Sequence, residues 1–370
     1  MKSITVNAIA AHDKREIKKF VELQREIYRG NSHFVEPIYS EVVKFIHRGP
    51  FNEIGEKQLL MAYRGEKPVA RLSVHRSFRY NEHYKVNQGF FGFFEAYDDQ
   101  EAVDAIFAKG LEWLKAKGCE TVIGPMNFAI YDEIGILLNA YDQDPVVLNV
   151  YNHEYYPRLL ETAGFKKEVD WFAFKQGTTA PNFMRLVSQR VLKQKDVQIR
   201  DVKPANFVKE ANAIRHIFDE AWSENWGNVP FTDKQWNFII SELRRVIWPR
   251  YSYICEVDGV PVGFSITIPD ANQAVKKAKG RLFPFGWLKI LWHLKKIKTG
   301  RTIIMGILKE HRNKGYDIAM SYRLVEAARE TGKDWSELSL IVETNEPMLA
   351  VLGHVGAERY KTYRIYKKTV

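Results

Sequence analysis

Six consecutive residues, Arg312-Asn313-Lys314-Gly315-Tyr316-Asp317, bring two cations and a glycine together in one short loop. Glycine lets the backbone turn tightly, so successive N–H groups can point into one concavity at the start of a helix. Such a nest suits a pyrophosphate, and Arg312 and Lys314 add charge to it. The same residues also read as an ordinary basic strand-to-helix loop. A second group, Asn127, Tyr131, Asp132 and Glu133, comes after Gly124-Pro125 on a long loop. Long loops in compact domains are often functional. These side chains are candidates for ligand contact, or else serve only as surface turn residues. Cys119 and Cys255, the only cysteines, stand in no metal-ligand spacing; they read as small buried residues of a chain kept in a reducing compartment. No metal site is expected.

The elements that must hold these groups follow from periodicity and turn chemistry. The basic loop lies between a strand over 302–308 and a helix over 318–331. A strand over 337–342, a short helix over 346–352 and a last strand over 363–368 come after it. Upstream, a strand over 197–202 and helices over 204–222 and 233–246 lead to a hairpin, 251–257 and 260–268, turning at Asp258-Gly259. The first half reads as a strand over 3–8, a helix over 13–29, a polar loop through Pro37 and Pro50, and a hairpin, 58–64 and 67–78, turning at Gly65-Glu66. An aromatic run over 89–96, a helix over 100–117, a strand over 120–124, a helix over 155–163 and an extended segment over 170–175 complete it. Gly, two Thr and Pro across 176–181 mark a linker.

The halves repeat one plan. Gly92 in Phe-Gly-Phe-Phe matches Gly306 in Met-Gly-Ile-Leu, and the same interval then leads to Gly118 and to Gly332, each closing a helix. Asn152 precedes a helix ending in Gly164-Phe165, as Asn345 precedes one ending in Gly356-Ala357. The first half carries an insertion over 125–148. Several matches in one order argue for two copies of one α/β fold.

The second copy, over 197–370, resembles the GNAT superfamily of N-acyltransferases, and the first resembles it more weakly. Arg312 and Gly315 match the family's Arg/Gln-x-x-Gly-x-Gly/Ala acyl-CoA loop, with Asp317 in place of the last small residue. Glu343-Thr344-Asn345 and Gly356-Ala357 look like the family's fifth strand and fourth helix. The resemblance implies two tandem GNAT-like domains, 1–177 and 178–370, each a mixed, mostly antiparallel central sheet flanked by helices. It implies acetyl-CoA or a longer acyl-CoA as co-substrate, bound by Ile307, Leu308, Arg312, Asn313, Lys314, Gly315, Tyr316, Asp317 and Asn345. Backbone N–H groups near Ile307 and Leu308 would polarise the thioester, and Glu343 would be the general base. Leu352 stands where many members place a tyrosine acid. Asn127, Tyr131 and Asp132 would contact the acceptor. By the repeat, Asp98 and Glu101 fall opposite Arg312 and Gly315, so the first domain is expected to bind no CoA.

One segment stands outside this plan. Residues 276–301 hold nine basic residues and the apolar set Leu282, Phe283, Phe285, Trp287, Leu288, Ile290, Leu291, Trp292, Leu294 and Ile297. That composition suits anionic lipid or an acyl chain; packing against the first domain is the other reading. A fatty acyl donor or an amphiphilic amine acceptor would explain it. The start of the chain has no signal-peptide pattern and no run of about 18 apolar residues occurs. The expectation is therefore a cytoplasmic protein, with a peripheral contact at the inner face of the membrane. The net charge of +10 favours anionic partners, but no zinc spacing, recognition helix or stacking motif accompanies it, so nucleic acid is not an expected partner. The alternative readings are a tandem aminoacyl transferase using charged transfer RNA and a non-catalytic CoA-, lipid- or nucleic-acid-binding protein.

Overall fold

An alternating stretch and an amphipathic one open the chain as β1 (Ile4–Ile9) and α1 (Lys14–Ile27). Asp13 starts α1 by accepting the amides of Arg15 (2.9 Å) and Glu16 (3.2 Å). Ile17, Phe20, Val21 and Ile27 turn its apolar stripe inward. The computed structural model describes residues 2–10 and 12–370. These form two compact units: 1–171 with 272–292 and 361–370, and 172–271 with 293–360. The first boundary lies six residues before the expected one at 177/178. The chain also returns twice to the first unit, where the sequence predicts two consecutive domains.

The segment expected as a polar loop holds two helices, α2 (Tyr39–Arg48) and α3 (Phe51–Ile54). Pro37 and Pro50 fall just ahead of them, where a missing N–H breaks no helical bond. The hairpin β2 (Gly55–Arg64) and β3 (Lys67–Ser77) pairs Arg64 with Lys67. Next come α4 (Phe78–Tyr84), β4 (Gln88–Ala96), α5 (Gln100–Ala116), β5 (Thr121–Gly124), β6 (Ile136–Leu137), α6 (Tyr156–Thr162) and β7 (Lys166–Gly177).

The chain continues through α7 (Asn182–Leu192), unforeseen in the sequence, β8 (Val197–Asp201), α8 (Phe207–Ala221) and α9 (Asp233–Val246). The hairpin β9 (Tyr253–Val257) and β10 (Val260–Pro269) turns on Asp258 and Gly259, both at positive φ. The short α10 (Asn272–Val275) and α11 (Gly286–Leu294) lead to β11 (Thr299–Ile307), α12 (Tyr316–Glu330), β12 (Trp335–Val342), α13 (Glu346–His354) and β13 (Glu358–Thr369).

In the first unit the strand order is β1-β2-β3-β4-β5-β13, with β6 also on β13. Here β4 and β5 run parallel and the other pairs antiparallel. The second unit repeats this as β8-β9-β10-β11-β12, with β11 and β12 parallel. Each is a mixed, mostly antiparallel sheet with flanking helices, as expected. The first unit's core joins Leu72, Val74, Phe91, Phe94, Phe107 and Leu159 among others. In the second, Phe172, Phe174, Met184, Leu352 and Val355 form one buried cluster. Among the described residues no helix is long and apolar enough to cross a membrane.

Candidate active site

In the second unit, parallel pairing runs from Thr299↔Trp335 to Thr302↔Leu338. Strand β11 runs on to Ile307 and β12 to Val342. The register of β11 on β10 shifts at this point, between Ile266↔Ile304 and Thr267↔Thr302, leaving Ile303 as an extra residue. Ile303, Ile304 and Met305 are only half-buried. The Leu308 amide donates to the Val262 carbonyl at 3.0 Å. Alternation along a strand then turns the Ile307 amide the other way, toward the side where β12 has left. Leu308 was expected to help polarise a thioester. Its N–H is already bonded within the sheet, and of the two amides only that of Ile307 faces the parted side.

A 3-10 turn, Lys309–His311, carries the chain from β11 into the basic loop. Asn313 (φ +61°) and Gly315 (φ +83°) are both left-handed, and Gly315 is the N-cap of α12 with no side chain bonded to the helix start. The first amides of a 15-residue helix are therefore open to an external acceptor. The side chains of Arg312, Asn313 and Lys314 are exposed. Arg312 makes long contacts to the carbonyls of Ala221 (3.4 Å) and Ile307 (3.5 Å). Tyr316 buries its ring beside His311 and so has only its backbone to offer a ligand. Asp317 sits in the first helical turn and is not the cap. A side chain on Gly315 would press on Val187 of α7 at 2.7 Å.

Glu343 lies in the turn directly after β12, half-buried, at the end of the strand as expected. Asn345 caps α13 by accepting the Met348 amide (3.2 Å), and its amide nitrogen reaches Asn225 (3.4 Å). Its side chain thus serves the helix. Leu352 is buried against Phe172, Phe174 and their neighbours and brings no acid. Sequence reasoning missed Glu337: fully buried on β12, it accepts from Ser339 and Tyr360 and lies 3.7 Å from Arg301. A lone carboxylate in the run Trp-Ser-Glu-Leu-Ser-Leu-Ile-Val was the available signal, because a buried charge must have partners.

The corresponding region of the first unit is built differently. Pairing of β4 and β5 runs from Gln88↔Thr121 to Phe90↔Ile123. Beyond it the Met126 amide donates to the Phe91 carbonyl (2.7 Å) and Asn127 Oδ1 accepts the Phe93 amide (2.7 Å). Phe93 itself is left-handed, at φ +47°. The insertion therefore fills the edge that β11 leaves open. The start of α5 is closed as well: Asp99 caps it by accepting the Ala102 amide, and Arg64 binds Asp99 (2.7 Å) and Glu101 (2.8 Å).

In front of the filled edge lies a cavity of about 120 Å³, lined by Gln24, Arg71, Phe93, Glu95, Asn127 and Tyr156 among others. Glu95 is buried and accepts from Tyr28 (2.7 Å), Tyr156 (2.7 Å) and Gln24. Arg71 stands 3.6 Å away and donates to the carbonyls of Phe20 and Val21. Burial and the Glu95 charge push both tyrosines well above the usual phenol range. Of the three acceptor candidates, Asn127 lines the cavity and binds Glu133 (3.0 Å). Asp132 closes its own turn by accepting the Ala129 amide (2.9 Å), and burial pushes its carboxyl up. Tyr131 lies half-buried on the same loop, outside the cavity lining. Among the described residues no His, Cys, Asp and Glu cluster could hold a metal.

No family model matches the chain. The sequence is 30% identical over 369 residues to Protein YghO of Escherichia coli strain K12, across 97% of this chain and 94% of that protein. It is 29% identical over 377 residues to the bacterial ceramide synthase of Caulobacter vibrioides, across 99% and 98%. Among solved structures, a tandem GNAT protein from the clavulanic acid biosynthesis pathway superposes with a TM-score of 0.59 at 11% identity, over 99% of this chain and 98% of its own. A GCN5-related N-acetyltransferase from Sphaerobacter thermophilus does so at 0.54 and 13%, over 99% and 95%. With two copies of the parted-strand sheet and relatives matched from end to end, the chain belongs to the family of Protein YghO, and its fold is that of a tandem GNAT protein.

Proposed function

We propose that the protein is an acyl-CoA-dependent N-acyltransferase with one donor site per chain, in the second unit, acting on an amphiphilic amine. The observation that carries this reading is the open helix start at Gly315 beside the parted strands β11 and β12. Pyrophosphate is proposed to take the first amides of α12 and the charges of Arg312 and Lys314. The thioester carbonyl is proposed to take the Ile307 amide. Glu343 removes a proton from the acceptor ammonium. The freed amine forms a C–N bond at the carbonyl carbon, the C–S bond breaks, and the departing thiolate takes up the proton that the nitrogen loses as it becomes an amide. A thiol of ordinary pKa, about 8.5, leaves without an enzymic acid, which is compatible with Leu352.

For the acceptor, two observations favour a long-chain amine over a small soluble one. The Caulobacter relative is named for ceramide, an amide of a fatty acid with a long-chain amino alcohol. Asn127 and Glu133 border a cavity that holds the buried Glu95, a setting suited to a polar head carrying an amine. Tyr131 and Asp132 are assigned supporting places on that loop.

Calorimetric titration with acetyl-CoA and palmitoyl-CoA tests the reading. One site per chain is expected, weakened at least about 100-fold in an Arg312→Glu, Gly315→Glu variant, since one charge-assisted phosphate contact turns repulsive and a second carboxylate enters the open helix start. Arg312→Glu alone, at an exposed position, separates binding from any effect on folding. Unchanged affinity in both variants, or no binding of either thioester by the wild type, overturns it.

A further inference from the structure

From Ala271 to Lys309 the sequence contains no acidic residue. Within this stretch residues 272–292 belong to the first unit. Their base is pinned there: Ala274 and Ala278 are buried, Asn272 donates to the Pro145 carbonyl (2.9 Å), Lys276 pairs with Asp144, and Gly280 lies against the ring of Tyr39. Beyond Gly280 the side chains turn outward. Phe283 is 78% exposed and Phe285 65%, and Trp287, Leu288, Leu291 and Trp292 are exposed with them. Six of the sixteen exposed large apolar residues among the described residues thus fall within ten positions. Trp287 with Leu291, and Leu288 with Trp292, are four apart on α11, so they form one stripe. Lys277, Lys279, Arg281 and Lys289, all exposed, lie close to it in the chain.

We infer that this arm docks the protein on an anionic phospholipid bilayer, with Phe283, Phe285 and the α11 stripe entering the headgroup boundary and the cations meeting lipid phosphates. An all-basic segment with protruding aromatic side chains is complementary to such a surface. A protein partner would have to supply the acid that this segment lacks. Docking needs neither CoA nor turnover, so its failure would leave the acyltransferase reading standing.

Flotation of the full chain with phosphatidylcholine vesicles, with and without phosphatidylglycerol, is the test. Binding is expected to the anionic vesicles only and to fall steeply with salt. A Phe283→Ser, Phe285→Ser, Trp287→Ser variant should lose it. Lys277→Glu with Lys279→Glu should weaken it about fivefold or more per position. All five side chains are exposed, and unchanged thermal unfolding would verify that the fold is kept. Absence of flotation, equal binding to neutral vesicles, or sedimentation showing that the same aromatic residues join two copies of the chain would overturn the inference.

Discussion

The β4/β5 and β11/β12 pairs start alike and end differently. In both, parallel pairing lasts a few residues and the strands then run on. In the first unit the chain's own Met126 and Asn127 take up the edge of β4, and every residue of β4 is buried. In the second, Ile303, Ile304 and Met305 stay half-exposed and the adjoining loop presents Arg312 to Gly315. The helices after the two strands differ in the same sense. Helix α5 begins on Asp99, already held by Arg64, whereas α12 begins on Gly315 without a side-chain cap. What separates the two copies is thus which groups satisfy an exposed strand edge and a helix start. In the first unit those groups come from the protein; in the second the helix start has no side-chain cap and the strand residues stay half-exposed.

The matched glycines offer the largest test of that contrast. A β-carbon on Gly92 would stand 2.1 Å from the Met126 carbonyl oxygen, a backbone atom of the filling loop. One on Gly306 would meet only the side chains of Phe264 (3.1 Å) and Ala221 (3.2 Å). Gly92→Ala is expected to destabilise the protein by about 3 kcal/mol, and Gly306→Ala by less than about 1 kcal/mol. Urea denaturation of the two variants measures both. Equal losses would mean that the loop does not seal β4 as described.

A second contrast is electrostatic. Pairing places His75 opposite Phe90, and Ile266 opposite Ile304, at matching positions of the two sheets. His75 is fully buried among Phe51, Phe90 and Phe128, and neither ring nitrogen finds a hydrogen-bond partner among the described residues. Burial lowers its pKa from 6.5 to about 3. As pH falls below about 6.5 the unfolded chain takes up a proton that the folded one refuses, so stability declines between about 6.5 and 3. At pH 5 the loss is about 2 kcal/mol. His75→Ile, which copies the second unit, should remove this part of the acid dependence. A variant with the wild-type slope from pH 7 to pH 5 would place the sensitivity elsewhere.

Much of the fold was legible because its signals are local. Asp258-Gly259 and Gly65-Glu66 turn hairpins where the residues demand it, and Asp13 caps the helix it precedes. The basic loop lies at a helix start because Gly315 permits the left-handed turn. The misses are non-local. Segments 272–292 and 361–370 join the first unit through contacts such as Asn272 with Pro145 and Lys361 with the Asp144 carbonyl, which no window of sequence contains. The bond from Leu308 to Val262 depends on register. Glu95 and Glu337 lie in apolar strands and show their importance only once Tyr28, Tyr156, Tyr360 and Arg301 are seen around them. The repeat also slips by two residues at one place. Counted from Gly92 and Gly306, α5 starts two residues sooner than α12, so Asp99, not Glu101, corresponds to Gly315.

Asp99 is therefore the position for the smallest and most discriminating test. Two features of the first unit oppose an anion at the start of α5: the carboxylates of Asp99 and Glu101, and the loop that fills the β4 edge. Asp99→Gly removes the cap, leaves glycine where the second unit has it, and frees Arg64 from its closest partner. Losing a side-chain cap costs about 1 kcal/mol, and glycine recovers part of that; the half-exposed ion pair adds little. A loss of about 1 kcal/mol or less is therefore expected in thermal or urea unfolding. The CoA titration decides the rest. If the filled edge is what excludes a ligand, the variant still titrates with one site per chain, because Met126 and Asn127 continue to occupy β4. A second site appearing in Asp99→Gly would show that charge alone had closed the first unit, and that its cleft is otherwise intact.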